Sequence, residues 1–470
     1  MHALIFLLLG PTPKAIHVAL LGINLCTVGA VGWVGRRYLG DAAGLFAAAA
    51  YGTFTLGTGM FGYWLSAEHF SAMFLAAGAV MMPGSFRGRT WLRLLLAGVL
   101  LGSAPVIKQH AALPAVSWLV GGGWLFLRQR TETAGPRVSL VFGPLLAGFV
   151  LPVAVTWAVM AACGVFENFR FWAFEYALQY VTTVSLDLGW RHFLVGAGQV
   201  FRDAPVVWIL TLAGIVVALG KPSVLREPAA VRILLAPSAV AAMLGVSAGL
   251  LFRPQYFILL APYAALLAGL AWQLVVERPG LTGSCRAWVR LLLLVASFGV
   301  LIKHPILASQ KTPEQICRHV YGMNPFPEYP IVADWLRRHT GSGERVAVIG
   351  SEPAIYFLAD RPPATPYLCV YEMMKPHAFA NRMQREAIGC IEQNRPRCMV
   401  IVDVPTSWGR QEERDLTFET WLRQYGMKHY SVEGRIDLVS ETEVVVEWGN
   451  EARSHAARSP YTILMLLRND

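Results

Sequence analysis

The chain has 470 residues, 55% of them hydrophobic and only 15% charged, with a mean hydropathy of +0.46. Soluble domains carry about 25% charged residues, so an ordinary soluble enzyme is excluded, as are disordered, collagen-like and disulfide-dense chains. The formal charge of +10 does not argue for nucleic acid as a partner, because Lys and Arg gather in the cytoplasmic loops of membrane proteins.

Met1–Gly10 (MHALIFLLLG) is too short to span a bilayer and lacks the basic region and small-residue cleavage site of a signal peptide. From there to Lys303, apolar stretches alternate with short polar links. A spanning helix needs about 20 residues to cross about 30 Å of hydrocarbon. Ten stretches are candidates: 15–35, 41–61, 66–82, 92–107, 110–127, 139–162, 203–219, 230–250, 255–275 and 286–303. The short stretches 66–82 and 92–107 are also open to a re-entrant or tilted reading.

Basic residues set the orientation. One set of loops holds Arg36/Arg37, Arg87/Arg89/Arg93, Arg128/Arg130/Arg137, Lys221/Arg226/Arg232 and Arg278/Arg286/Arg290. The opposite set holds Lys108, Arg170, Arg191, Arg202 and Arg253. The richer set is expected inside, and the tail after residue 304 outside. Residues 1–14 then also lie outside with no preceding span, so an upstream helix and external loop are expected to be missing.

After residue 304 the hydrophobic period changes. A helix is expected over 328–339, a buried strand over Arg345–Ile349, and a further helix opening at Gly350-Ser351-Glu352-Pro353 with Ser351 as its N-cap. A helix near 376–393, a strand at Cys398–Val402 and a helix near 416–425 follow, then strands over 428–433, 443–448 and 461–466. This alternation predicts a small α/β domain over 304–470 behind a membrane domain over 1–303.

The seven Cys form no C-x-x-C pair. Cys26 reads as a small buried hydrophobe, while Cys317, Cys369, Cys390 and Cys398 are available to pair if the tail is extracytoplasmic. No cluster has metal-ligand spacing, and no P-loop, G-x-S-x-G or H-E-x-x-H motif occurs. Neither a metal nor a cofactor is expected. The turn at Gly350–Pro353 offers an anion position at a helix N-terminus but lacks a nucleotide site's glycines, so it reads as structural.

Three polar turns fall on the expected outer face, where intramembrane charge usually lines a cavity. They are Glu68-His69 within YWLSAEHF, Lys108-Gln109-His110, and Arg253-Pro254-Gln255-Tyr256. Together they offer cations for a phosphate, a carboxylate and an aromatic surface for a sugar ring. Lys108 and Arg253 are candidate phosphate ligands. His69, His110 and Tyr256 are candidate lining residues, and Glu68 is the candidate carboxylate. Each has a plainer alternative: Glu68 and His69 solvated at the interface, Lys108 snorkelling, Arg253 on ordinary headgroups. The segment ENFRFWAFEYALQYV in the external loop 164–200 reads as an interfacial amphipathic helix, with an acceptor groove as the alternative.

In order along the chain, LIFLLLGPTPKAIHVALLGINL, GRRYLG, DAAGLFAAAAYG, AEHF, KQHAALP, RPQYFILLAPYAALLAGL and RVAVIGSEPAIYFLADRPPATPYL carry a likeness to one family. The chain resembles membrane glycosyltransferases of the dolichyl-phosphate-mannose protein mannosyltransferase and aminoarabinose transferase-like type (family 39). The resemblance implies a polytopic α-helical membrane protein with an extracytoplasmic α/β domain, in a bacterial inner membrane with that domain periplasmic. It also implies inverting transfer of a sugar from a polyprenyl-phosphate donor to an extracytoplasmic glycan, lipid or protein acceptor. The expected partners are that donor and membrane lipid.

In the family, basic residues hold the donor phosphate and an Asp of the first external loop serves as base. That loop precedes the segment matched by Met1–Gly10. No residue here corresponds to the base, and Glu68 is its weak substitute. Two alternatives follow: an inactive truncated homologue acting as a binding or assembly subunit, and a lipid or sugar transporter. The transporter is disfavoured because no inverted repeat is visible.

Overall fold

The computed structural model describes residues 1–82, 89–128, 138–182, 184–220, 228–277, 283–299, 301 and 312–469. Contacts divide the chain into two compact units, 1–308 and 309–470.

The first unit is built from helices, and each of the ten apolar stretches carries one. They run Pro13–Tyr38, Asp41–Leu56, Ala67–Met81, Thr90–Ile107, Ala112–Arg128, Val138–Ala162, Pro205–Leu219, Ala236–Val246, Ala261–Glu277 and Gly283–Phe298. Pro13–Tyr38, Thr90–Ile107, Gln109–Arg128 and Val138–Ala162 are each long and apolar enough to cross a membrane alone. Leu186–Asp203 and Pro205–Leu219 meet at a 111° bend and count as a fifth span only if taken together. Length and composition thus support four or five crossings among the described residues, and ten remains an expectation.

Local chemistry sets the ends of these helices. Thr12 accepts from the Ala15 amide at 3.2 Å and Pro13 follows in the first turn, a pre-organised start. Arg37 donates through Nη1 to the Met82 carbonyl at 2.5 Å, closing the C-terminus of Ala67–Met81 with a cation. In lipid the drive between helices comes from close packing and interhelical hydrogen bonds. Here the Ala43 amide donates to Gln273 Oε1 at 2.9 Å, and Trp118 Nε1 donates to the Tyr263 hydroxyl at 3.1 Å.

One expectation is corrected in this unit. Cys26 is exposed rather than buried, on the outward side of Pro13–Tyr38, where a thiol serves as another apolar surface group. The aromatic stretch of the external loop is helical as expected, from Phe166 to Val181, and a further helix follows at Leu186–Asp203. The aromatic stretch runs as Phe166–Arg170, a π-helical turn Phe171–Glu175 and Tyr176–Val181 without a break between them. Arg87, Arg130, Arg137, Lys221, Arg226 and Arg278, all assigned to inner loops, lie outside the described residues.

The second unit is a five-stranded sheet with helices. Strands β1 (Ala347–Ile349), β2 (Cys398–Asp403), β3 (Tyr430–Leu438), β4 (Val444–Trp448) and β5 (Thr462–Arg468) lie in the order β1-β2-β5-β3-β4. Only β1 and β2 among these neighbours run parallel; the other pairs are antiparallel. Helix Tyr329–His339 buries Val332, Ala333 and Leu336 in a core shared with Val348, Val400, Val402, Ile436 and Ile463. Because β2 is covered on both faces, its sequence is a continuous apolar run.

Ser351 is not the N-cap. Glu352 takes that position, while Ser351 Oγ donates to the Ser407 carbonyl at 2.6 Å, tying the loop after β1 to the loop after β2. Cys317, Cys369, Cys390 and Cys398 are all free, so the pairing held open for them is not formed.

Candidate functional site

Three turns of the first unit meet around Glu68. This residue sits in the first turn of Ala67–Met81 and is 2% exposed, so it is not solvated at an interface. The Lys108 ammonium lies 3.2 Å from its Oε1 and His110 Nε2 lies 3.9 Å from the same oxygen. Tyr256 closes the cluster: its ring stands 5.1 Å from Lys108 Nζ and edge-on to His110 at 5.0 Å.

Each residue is placed by a break in a helix. Thr90–Ile107 ends where Lys108 turns extended (φ −146°, ψ 112°), and a 3-10 turn, Gln109–Ala111, follows. Gln109 Nε2 donates to the Ala173 carbonyl, fastening this turn to the aromatic segment. His110 donates through Nδ1 to the Gly245 carbonyl at 3.1 Å. The approach requires glycine, since a Cβ at position 245 would lie 2.5 Å from the His110 carbonyl oxygen. After Ala236–Val246 the backbone takes positive φ at Leu250 (53°) and Phe252 (42°). Non-glycine residues adopt this conformation rarely and at a cost, and here it leads into the 3-10 turn Pro254–Leu259 that carries Tyr256.

The cluster contains buried polar atoms without a hydrogen-bond partner: Glu68 Oε1, His110 Nε2 and, on the Tyr256 turn, Gln255 Oε1. The Lys108–Glu68 pair is close but off the hydrogen-bond line. Buried polar atoms without a hydrogen bond are costly and uncommon; with Glu68 Oε1 ion-paired to Lys108, it is His110 Nε2 and Gln255 Oε1 that suit a polar ligand.

His69 is placed differently from its neighbour. It is fully buried, donates through Nε2 to the Gly62 carbonyl at 3.2 Å, and turns Nδ1 to Ser66 Oγ at 3.2 Å. Both nitrogens therefore serve its own loop. Arg253 is exposed at the start of the Tyr256 turn, where its carbonyl accepts the Tyr256 amide at 2.9 Å.

Two features had not been read from sequence. Asp203, at the bend after Leu186–Asp203, accepts from the Gly59 amide and from Thr58 Oγ1 at 3.5 Å, bracing the loop that leads to Glu68. An apolar cleft of about 530 Å³ lies among Phe193, Trp208, Thr211, Met243, Phe257 and Leu260. It borrows the helix of Gly245 and the turn of Tyr256. Helix Leu186–Asp203 lines it only because of the 111° bend that follows.

The helix N-terminus after β1 offers no anion position. The chain's own Glu352 is buried there, accepting from Ser407 Oγ at 2.9 Å. Burial pushes its carboxyl up to about 7, against the pull of the Ser407 and Ser351 hydrogen bonds. Among the described residues no group of three His, Cys, Asp or Glu is placed to hold a metal.

No family model matches the sequence, and no curated protein matches it. Solved structures do match the fold. ArnT from Cupriavidus metallidurans bound to undecaprenyl phosphate aligns at a TM-score of 0.55 and 13% identity, over 98% of this chain and 86% of that one. The same protein in the apo state aligns at 0.50 and 14% identity, over 98% and 85%. The archaeal oligosaccharyltransferase AglB from Archaeoglobus fulgidus is a weaker match, at 0.49 and 12% identity over 93% and 63%. The chain thus shares the mostly helical fold of the ArnT structures, and its own C-terminal unit is a small sheet domain.

Proposed function

We propose that the chain transfers a sugar from a polyprenyl-phosphate donor to an acceptor on the outer side of a bacterial cytoplasmic membrane. The observation that carries this reading is the convergence of Glu68, Lys108, His110 and Tyr256 from three separate turns in a fold shared with a protein crystallised with undecaprenyl phosphate.

In this reading Lys108 takes the donor phosphate, with Arg253 as a second cation from the exposed side. Glu68 holds Lys108 and His110 in place and is a positioning group. Tyr256 backs the ammonium and presents its ring to the sugar. The apolar cleft beside the cluster takes the first isoprene units, and its volume is within the range of ordinary ligand pockets.

The acceptor oxygen attacks the anomeric carbon opposite the phosphate and forms the new C–O bond. The bond to the phosphate oxygen breaks, its electrons stay on the leaving phosphate, and the sugar's configuration inverts. Lys108 offsets the charge that grows on that oxygen. The acceptor hydroxyl's proton passes to water as the new bond forms.

The test is binding of undecaprenyl phosphate to the full chain in lipid nanodiscs. Charge-assisted contacts to an anion are worth about 1.5–3 kcal/mol, so Lys108→Gln is expected to weaken binding roughly 10- to 150-fold. Arg253→Gln, at an exposed position, is expected to cost less. Unchanged affinity in Lys108→Gln returns that residue to snorkelling and removes the reading.

A further inference from the structure

The second unit has a groove of about 660 Å³ between helix Tyr329–His339 and the outer strands of the sheet, lined by Asp334, Trp335, Arg338, Glu433 and Trp448 among others. Residues 330, 331, 334, 335, 338 and 339 form one stripe of the helix. The opposite wall is built from the edge strand β4 and its neighbour β3.

Trp448 ends β4 and is 43% exposed. Its cross-strand partner is Gly434, where a Cβ would lie 2.6 Å from the indole Cζ3. The missing side chain leaves room for the indole against β3, where it also neighbours Met465, while much of the ring stays exposed. Beside Gly434 the register shifts, leaving Glu433 as the extra residue of a bulge. Bulges re-aim a side chain, and Glu433 lines the same groove. Behind this wall, buried Glu447 accepts from His455 Nδ1 at 2.9 Å and stands 3.3 Å from Arg458 and 3.8 Å from Arg435. That network pins β4 from its other face, so the indole is held in place before any ligand arrives.

The charges in the groove are balanced. Asp334 pairs with Arg337 and Arg338, and Glu433 pairs with Arg453. An anion would meet two carboxylates, and a cation would meet guanidiniums. A ligand with many hydroxyls and no net charge meets planar acceptors and donors in fixed orientation, with an indole face for its C–H surface.

We propose that this groove binds an uncharged saccharide, one ring stacked on Trp448 and its hydroxyls shared among Glu433, Asp334 and Arg338. That the saccharide belongs to the acceptor rests on the transferase reading; that the groove binds sugar does not.

The experiment is calorimetric titration of the full chain in nanodiscs with maltotriose and chitotriose as neutral probes and trigalacturonate as the charged control. At least one neutral trisaccharide binds, and trigalacturonate binds more weakly. Trp448→Ala lowers the neutral affinity about tenfold, the worth of a lost ring stack, while Trp448→Tyr keeps most of it. Because Trp448→Ala also uncovers Gly434, Arg338→Ala tests the same groove from a side chain that is 73% exposed, and it too weakens binding. The proposal is overturned if neither neutral probe binds, or if binding survives both alanine variants. Lys108→Gln is expected to lose undecaprenyl phosphate and keep the trisaccharide, so the two readings fail separately.

Discussion

Glu352 shows what one sealed carboxyl does to a small domain. Its folded value near 7 stands above an ordinary value of 4.5. Between those limits the folded chain keeps a proton that the unfolded chain has released, so this carboxyl's contribution to stability is full below about pH 4.5 and is lost as pH rises to about 7. The loss is about 3 kcal/mol for a shift of this size. Glu352→Gln is expected to remove that part of the pH dependence and to raise the unfolding midpoint at pH 8 more than at pH 5. Parallel thermal profiles for the two proteins across this range would show that the carboxyl is not held protonated. Sequence pointed to Ser351 at this place because serine is a good N-cap. The choice was made instead by Ser407, 56 positions away, which accepts the Ser351 amide and binds the Glu352 carboxylate. Glu68, Lys108, His110 and Tyr256 were legible one by one as polar or aromatic residues at the ends of apolar stretches. Their meeting was not, because it depends on contacts such as His110 with Gly245, 135 positions apart.

At the scale of elements, apolar runs and their Pro, Thr and Gly punctuation located the helices of the first unit and the strands of the second to within a few residues. Composition did not disclose helix Leu186–Asp203. Its face carries Asp187, Arg191, His192 and Arg202 among leucines and aromatics, so no long apolar window covers it. Ala204 (φ −148°, ψ 59°) then breaks the chain direction, which hydropathy cannot report. The seam between the Gln109–Ala111 turn and helix Ala236–Val246 is equally tight. Gly245→Ala would force a methyl against the His110 carbonyl at 2.5 Å. Overpacking of this kind costs typically about 1–3 kcal/mol. The variant is expected to unfold at lower temperature in nanodiscs and to bind undecaprenyl phosphate more weakly. A wild-type melting profile with wild-type affinity would show that the seam yields without disturbing His110.

For the whole molecule, the proposed orientation makes a prediction independent of any ligand. Single cysteines placed in 84–90, 129–137 and 279–285 should react only with reagents that reach the cytoplasmic side. Those placed on the surface of 312–469 should react with impermeant maleimide added outside. Labelling of the second unit from the inside alone would move every proposed site residue to the wrong face and end the donor-site reading. Sequence carried this expectation through the uneven distribution of Lys and Arg. It could not carry the number of crossings, because apolar helices such as Ala67–Met81 and Ala261–Val276 are shorter than a full span, and neighbouring helices determine how such pieces sit.

The unpaired cysteines of the sheet domain bear directly on how that mapping is done. Burial pushes Cys369 up to about 11 and Cys398 up to about 12, and raises Cys317 and Cys390 as well. The thiolate is the species that attacks a maleimide or a disulfide, and at neutral pH these four are held as thiols. Cys369 and Cys398 should therefore alkylate far more slowly than an exposed thiol, and Cys317 and Cys390 more slowly than one with an ordinary thiol value. An accessibility map of the folded protein can keep Cys369 and Cys398 in place once Cys26, Cys163 and Cys285 are replaced, since Cys26 and Cys163 are exposed.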